Sequence, residues 1–490
     1  MAASQLSLIS GNISGITSGI VAAAPIVSVM VALACRMRAL PAALLGVFVA
    51  ILGMLICFPL GIPAIIAAVR AMAGTILTVA LILLGGVGLS ELMIRSGAQG
   101  TIADWLLQVS NERALMLLLI VFGITPFMES VTGFGLGVIV AIPLLLRFGL
   151  PPAKAAVIAL LGLVLVPWGG LGPGTLVASE LGGVSFHDLG MMSAWFNLPV
   201  ILVSMVAVLA LAFGRDAVRH LGLALLVVAV LWLSLLLASR YGTPPVAGII
   251  ASSCVVSALL LLARFRQGST PGTSRELLRM ALPYAVLTGG LLLSKGLITA
   301  LRAPAALQFL ASPALWLPLT TLLSLWLLRV PVAQWQTHAR ATLVNWWPIA
   351  SSTTAFMLLG VLLAANGMAA ELARTAASTG QLFAFLAPAL GSLGAYVTGS
   401  NTGAAAMFSA ATVLASTETD GLGLIALAGQ NVAGSFAIIL APPRIALAAG
   451  IAMGAGASLP AGYVRILLVA VAVATLCLGV VASVVISVVG

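Results

Sequence analysis

The sequence predicts an all-α polytopic membrane protein: about twelve transmembrane helices plus two re-entrant hairpins, arranged as an inverted repeat. Three observations predict it. The 490-residue chain is 62% hydrophobic and only 7% charged, whereas about a quarter of residues are charged in soluble domains. Apolar runs of about 20 residues recur from end to end, the length that crosses a bilayer as a helix. The basic residues fall in the short gaps between those runs and sort to one side. Continuous runs such as LGLALLVVAVLWLSLLLAS, residues 221–239, argue against a β-barrel, whose strands would alternate with period two.

Taken in order, spans are expected at 16–34, 42–60, 72–94, 153–177, 189–213, 219–238, 245–263, 281–300, 310–328, 341–364, 422–456 and 463–488. MAASQLSLISGNISG at the N-terminus has no basic n-region and no convincing cleavage site, so the first span is expected to be kept. The longest polar stretch, 264–280, reads as a cytoplasmic loop. Two apolar stretches, 113–147 and 381–416, are too long for one span and are broken midway by ESVTGFG (129–135) and GSNTGAA (399–405). If each turns at its break, each arm has about 16 residues and reaches roughly 24 Å, short of a ~30 Å core. Irregular tips at that depth are tolerated only where they line a protein cavity.

The positive charges test this topology. With both stretches non-crossing, fifteen basic residues fall on one side and only Arg240, Arg302 and Arg374 on the other. Counting either stretch as a single crossing destroys that bias. The net charge of +10 is therefore orientation signal, and no nucleic-acid partner is expected. The expected location is the inner, cytoplasmic membrane of a bacterium, multi-pass, with both termini outside.

The chain also repeats itself. RSGAQGTIADWL (95–106) resembles ANGMAAELARTA (365–376), and both read as a short interfacial helix after a span. At a constant offset of 270, Ser130 meets Ser400, Thr132 meets Thr402, Gly133 meets Gly403 and Pro173 meets Pro443. The first repeat then covers 1–263, with hairpin 113–147 and broken span 153–177. The second covers 281–490, with hairpin 381–416 and broken span 422–456. Opposed topology and broken mid-membrane helices are the signature of secondary transporters.

The expected site lies at the four breaks. Returning hairpin arms present free N–H groups suited to an anion, and entering arms present carbonyls suited to a cation. Gly133, Gly135, Gly399 and Gly403 allow tight turns and close approach, while Ser130, Thr132, Ser400, Asn401 and Thr402 add polar groups. The plainer reading is that these only cap broken helices. Glu129 stands as the one acid near mid-membrane, and desolvation favours the neutral form of a carboxyl group, as a proton carrier requires. The plainer reading is an acid kept neutral or paired with a base. Arg444, after APP, suits a substrate carboxylate held bidentately, or else snorkels to the surface. Gln430 and Asn431 line the same span or glue helices together. WGGLGP (168–173) is cavity wall or hinge, Lys295 a snorkelling lysine, and the pair His187–Asp188 solvated. The four cysteines are scattered without metal spacing and read as packing residues. No HExxH, Walker or GxSxG motif occurs, so no enzyme, no cofactor and no metal is expected. A channel would need a continuous polar path or rings from an oligomer, although an oligomer remains possible.

PFMESVTGFGLGVIVAIPLL (126–145), GSNTGAAAMFSA (399–410) and GQNVAGSFAIILAPPRIALAAG (429–450) resemble the bacterial L-lactate permease family, and the likeness covers most of the chain. The resemblance implies import of L-lactate and related 2-hydroxymonocarboxylates such as glycolate by proton symport. It also implies kinship with the wider ion transporter group, whose members often move by an elevator mechanism. Spans 16–94 and 281–364 would then form a scaffold past which the hairpins move. SNT at 400–402 looks like the sodium-binding tip of dicarboxylate carriers in that group. A sodium-coupled organic anion transporter and a cation/proton antiporter of the same fold are the alternatives.

Overall fold

The computed structural model describes residues 2–106, 108–133, 135–267, 272, 274–380, 382–417 and 423–489, of which the side chains of 2–16, 103, 267, 305, 306, 417 and 489 are left undescribed. Every element among the described residues is helical. In an apolar solvent the helix is the only open-chain element that satisfies its own backbone, so the composition and the helicity have one cause.

Three long helices come first: α1 (Ala2–Ala34), α2 (Ala39–Ile56) and α3 (Ile62–Arg95), then the short α4 (Ala98–Leu106). A hairpin follows. Its first arm joins α5 (Arg113–Leu118), a π-helical turn (Leu119–Ile124) and α6 (Thr125–Thr132), and its second arm is α7 (Leu136–Arg147). The next span is broken: α8 (Pro152–Leu161), a 3-10 segment (Val166–Leu171) and α9 (Pro173–Gly182). Then come α10 (Phe186–Phe213), α11 (Leu221–Tyr241), α12 (Pro244–Gln267), α13 (Arg275–Ala300), α14 (Pro313–Leu327), α15 (Val332–Ala365) and the short α16 (Met368–Ala377). The second hairpin is α17 (Leu382–Thr398) and α18 (Asn401–Thr417). A second broken span follows, α19 (Gly423–Ala437), a 3-10 turn (Ile438–Leu440) and α20 (Pro442–Met453), and α21 (Ala461–Val489) ends the chain. Prolines open α8, α9, α14 and α20, in the first turn, where a missing N–H costs nothing.

Each of the twelve expected spans falls on a helix or a broken helix. By length and composition, ten described helical stretches can cross a membrane; one is the 56-residue run Phe186–Tyr241, which holds α10 and α11, and another is Arg113–Thr132, the entering arm of the first hairpin, which is not among the twelve. The short α14 and the broken α8–α9 span fall below that length.

Three expectations need correction. The described residues of the stretch 264–280 are mostly helix: Arg264 and Arg266 lie on α12, and Arg275 and Arg279 on α13. The first hairpin does not have equal arms, since its entering arm runs 113–132, its returning arm only 136–147. The π-helical turn lengthens the first arm, and Thr125 Oγ1 donates to Ile120 O there at 2.7 Å. Cys35 and Cys254 are exposed, so only Cys57 and Cys477, both half-buried, pack as expected.

Both hairpins reverse the chain. A Cβ on Gly137 would overlap Thr125 O, and one on Gly394 would fall 3.1 Å from Ala404 Cβ. The first hairpin also closes at the end where it opened. Arg147 pairs with Asp104 of α4, and Glu112 pairs with Arg266 of α12 at 2.7 Å, so both mouths share one face.

The helix pattern recurs at the offset that the sequence suggested. Both bounds of α15 lie 270 residues beyond those of α3, and α16 starts 270 after α4. The packing is exchanged accordingly. Helix α3 lies on α14, where a Gly85 Cβ would fall 2.5 Å from the Leu317 backbone. Helix α2 lies on α15, where a Gly46 Cβ would fall 2.9 Å from Leu359. One large buried core spans both halves, with Phe122, Trp168, Phe196 and Phe436 among its largest fully covered side chains, and two small clusters lie apart from it.

Candidate functional site

Glu129 sits one turn before the end of α6, and only 2% of it is exposed. The chain leaves the helix through Gly133 (φ +71°) and re-enters α7 after Gly135 (φ +85°), backbone angles that L side chains adopt at a cost. That turn brings the first amides of α7 back over the Glu129 carboxylate. Gly135 N–H donates to both oxygens at 3.0 and 3.3 Å, and Gly137 N–H donates at 3.4 Å. The anion expected at this helix start is therefore the protein's own side chain.

Arg444 approaches from the other half of the chain. The 3-10 turn and the Pro442–Pro443 pair start α20 with Arg444 in its first turn. A cation there opposes the helix dipole, so its compensation must come from outside α20. It comes from Glu129, whose Oε1 lies 3.8 Å from Arg444 Nη2, with the arginine side chain 15% exposed. The guanidinium lies against the turn so closely that a Cβ on Gly135 would overlap Nη1. Arg444 Nη1 is itself buried and has no hydrogen-bond partner among the described residues. Snorkelling to the surface does not describe this arginine; the acid pairs with a base, as one reading of Glu129 anticipated.

The second tip is built differently. Gly399 (φ +68°) makes its turn, and Thr398 Oγ1 accepts from Ser400 N–H at 3.2 Å. Ser400 Oγ accepts from Gly403 N–H at 3.4 Å. Gly403 is inside α18 without positive φ; it gives clearance, because a Cβ there would fall 3.1 Å from Thr398. Asn401 Nδ2 donates to Asn431 Oδ1 at 2.8 Å, and Asn431 Nδ2 donates to Thr175 Oγ1 and Ser193 Oγ, each at 3.1 Å. Thr175 in turn donates to Pro167 O in the first break at 2.6 Å. Gln430 accepts from Thr412 Oγ1 and donates to Ser409 Oγ at 3.4 Å. Gln430 and Asn431 thus act as buried glue here, at 2% and 3% exposed.

The four breaks meet. Gly133 of the first tip rests on Gly170 of the first break, at 3.1 Å from a Cβ on Gly133 to the Gly170 Cα. Gly399 of the second tip faces Ala441 and Pro443 of the second break. Across the halves, Gly135 faces Arg444 and Asn401 faces Gly174, and positions 174 and 444 are 270 apart. Ala395, Ala404, Ile438 and Val166 close an apolar cluster between them.

Two residues expected at the site face elsewhere. The Ser130 hydroxyl points at Gly248 of α12 and has no partner among the described residues, and Thr132 Oγ1 donates to Met128 O of its own helix at 2.7 Å. Thr402 is buried at the tip, its backbone in the first turn of α18. Gly174, Thr175, Ser193, Ser409 and Thr412 were not anticipated. The offset that pairs Gly174 with Arg444 was the available signal for the first two.

The family model of L-lactate permease matches residues 18–276 and 286–489. The chain belongs to the L-lactate permease family. It is 23% identical over 436 residues to the L-lactate permease of Escherichia coli (strain K12), covering 76% of this chain and 78% of that one. It is 22% identical over 420 residues to the L-lactate permease of Streptococcus iniae, covering 79% and 89%. A shorter match, 30% identical over 179 residues, is to the glycolate permease of Escherichia coli (strain K12), covering 36% and 32%. Family and helices together make this L-lactate permease family member a multi-pass membrane protein.

Proposed function

We propose that the protein is a secondary carrier, not an enzyme, that imports L-lactate and related 2-hydroxymonocarboxylates such as glycolate across the bacterial inner membrane by proton symport. The names of its relatives supply the substrate class. The observation that carries the coupling is the Glu129–Arg444 pair with its spare, buried Nη1 donor. Empty, the site holds one negative and one positive charge. A substrate carboxylate reaching Nη1 adds a second negative charge, and an unbalanced buried charge is expensive. A proton on Glu129 restores neutrality, so each monocarboxylate carries one proton.

In this reading Arg444 is the carboxylate receptor, with the first-turn amides of Asn401 and Thr402 and the Ser400 hydroxyl on the opposite side. Gly133, Gly135 and Gly403 provide close approach, and Gln430 and Asn431 hold the second tip in register. The two halves, 1–263 and 281–490, form an inverted repeat with re-entrant hairpins. Helices α1–α3 and α13–α15 are the scaffold past which the tips move as an elevator. The exchanged packing of α3 on α14 and α2 on α15 supports that division.

Uptake of labelled L-lactate into proteoliposomes under an imposed pH gradient, without sodium, tests it. Gradient-driven uptake is expected. Uptake only when sodium is added supports a sodium-coupled anion carrier, and none under either gradient removes the substrate, leaving the cation/proton antiporter.

A further inference from the structure

A cavity lies beside the first break. Its volume is about 400 Å³, and its polar lining is Lys295, His187, Gln308, Thr78, Thr243 and Ser312. It is walled by the connections before α10, between α11 and α12, and before α14, so these three lie at one end of the bundle. That end carries Arg240 and Arg302 and is the sparsely basic, outer one in the proposed topology. No carboxylate lines the cavity, and among the described residues none lies within ion-pair distance of Lys295. Lys295, half-buried, lines this half-open and largely apolar cavity and is the one ammonium group in its wall.

Leu171 forms part of the cavity wall. This residue is buried at φ +64°, between Gly170 at φ +52° and Gly172 at φ +76°. A leucine held in the left-handed region is strained, and strain of this kind gathers at functional sites. On the far side of this strained turn lies the site: Gly170 supports the tip Gly133, and a Cβ on Gly169 would fall 3.5 Å from Glu129 Cγ. Gly169, which abuts Glu129, is thus two residues from the cavity-lining Leu171.

We propose that this cavity is an outer antechamber that receives small carboxylate anions on Lys295, with His187 beside it, before they pass Leu171 to Arg444. A positive charge in a cavity without acids raises the local concentration of anions and their rate of entry, an effect that salt screens. The volume leaves room for a three-carbon hydroxy acid with part of its water. The assignment of lactate as cargo rests on the proposed function; the anion-attracting character of the cavity does not.

Two measurements test it and fail separately. The first uses a cysteine-free background carrying Gln308→Cys in right-side-out vesicles, labelled from outside by anionic and cationic methanethiosulfonates of matched size. The anionic reagent is expected to react faster, and Lys295→Gln to lower the anionic-to-cationic rate ratio by about threefold or more. A ratio indifferent to residue 295, or no labelling from outside, overturns the antechamber whether or not the protein carries lactate. The second measures L-lactate uptake. Lys295→Gln is expected to raise KM about 3- to 10-fold, keep the maximal rate and flatten the salt dependence, and Lys295→Arg to restore all three. A fall in maximal rate alone, with KM and salt dependence unchanged, would make Lys295 structural and overturn its loading role. Failure of wild-type uptake with an intact labelling ratio would reject lactate and leave the anion antechamber standing.

Discussion

The Arg444 guanidinium lies 3.8 Å from the Glu129 carboxylate, joining the first hairpin of one half of the chain to the broken span of the other. Each charge sits at a helix start, but only the acid suits it: Glu129 takes the amides of Gly135 and Gly137, while Arg444 opposes the dipole of α20. The pair therefore stands or falls together.

Arg444→Gln leaves Glu129 buried without its cation. The variant is expected to lose stability on the order of 3 kcal/mol and to lose transport, whereas the double variant Glu129→Gln/Arg444→Gln recovers much of the stability but no transport. Thermal unfolding in detergent, with substrate flux beside it, checks both. A double variant whose loss equals the sum of the losses of Glu129→Gln and Arg444→Gln measured singly would show that the pair carries no coupling energy.

Gly135→Ala meets two obstacles at once, a φ of +85° and a Cβ that overlaps Arg444 Nη1. The strain costs about 1–2 kcal/mol. The larger effect is expected on function, because the guanidinium must leave its place: substrate affinity should fall at least about tenfold. Binding measured by calorimetry or by protection against heat reads this directly.

Asn431 bridges Asn401 of the second tip to Thr175 and Ser193 in the first half. Asn431→Leu strands three buried polar partners, at roughly 1–3 kcal/mol for each that finds no water. The expected result is a lower unfolding temperature and faster hydrogen exchange at residues 398–404. Unchanged exchange at that tip would mean that the network does not hold it.

Gly85→Ala places a methyl 2.5 Å from the Leu317 backbone, inside the contact between α3 and α14. Overpacking there is expected to cost about 1–3 kcal/mol while leaving the proton-to-substrate ratio untouched. A changed ratio would place this contact in the moving machinery rather than the scaffold.

Much of this was legible in the sequence because lipid makes few demands and enforces them strictly. Apolar length and basic gaps located the helices, and the four breaks were visible as glycine and proline where helix should have continued. Partners were less legible. That Glu129 and Arg444 meet depends on two turns separated by more than 300 residues, and no local pattern reports a long-range contact. Ser130 read as a tip hydroxyl because spacing cannot tell which side of α6 faces α12. The π-helical turn in the first arm was hidden because it changes the hydrogen-bond register without changing composition. Ser193 was invisible as one more serine in an apolar span, important only because Asn431 reaches it.

The most direct test of the coupling compares Glu129→Gln with wild type in proteoliposomes, measuring lactate counterflow with equal pH on both sides and net accumulation under a pH gradient. The account predicts that the variant still exchanges lactate, because Arg444 remains, but no longer accumulates it against a concentration gradient. Accumulation in Glu129→Gln as steep as in wild type would contradict it, and would place the coupling proton on another group.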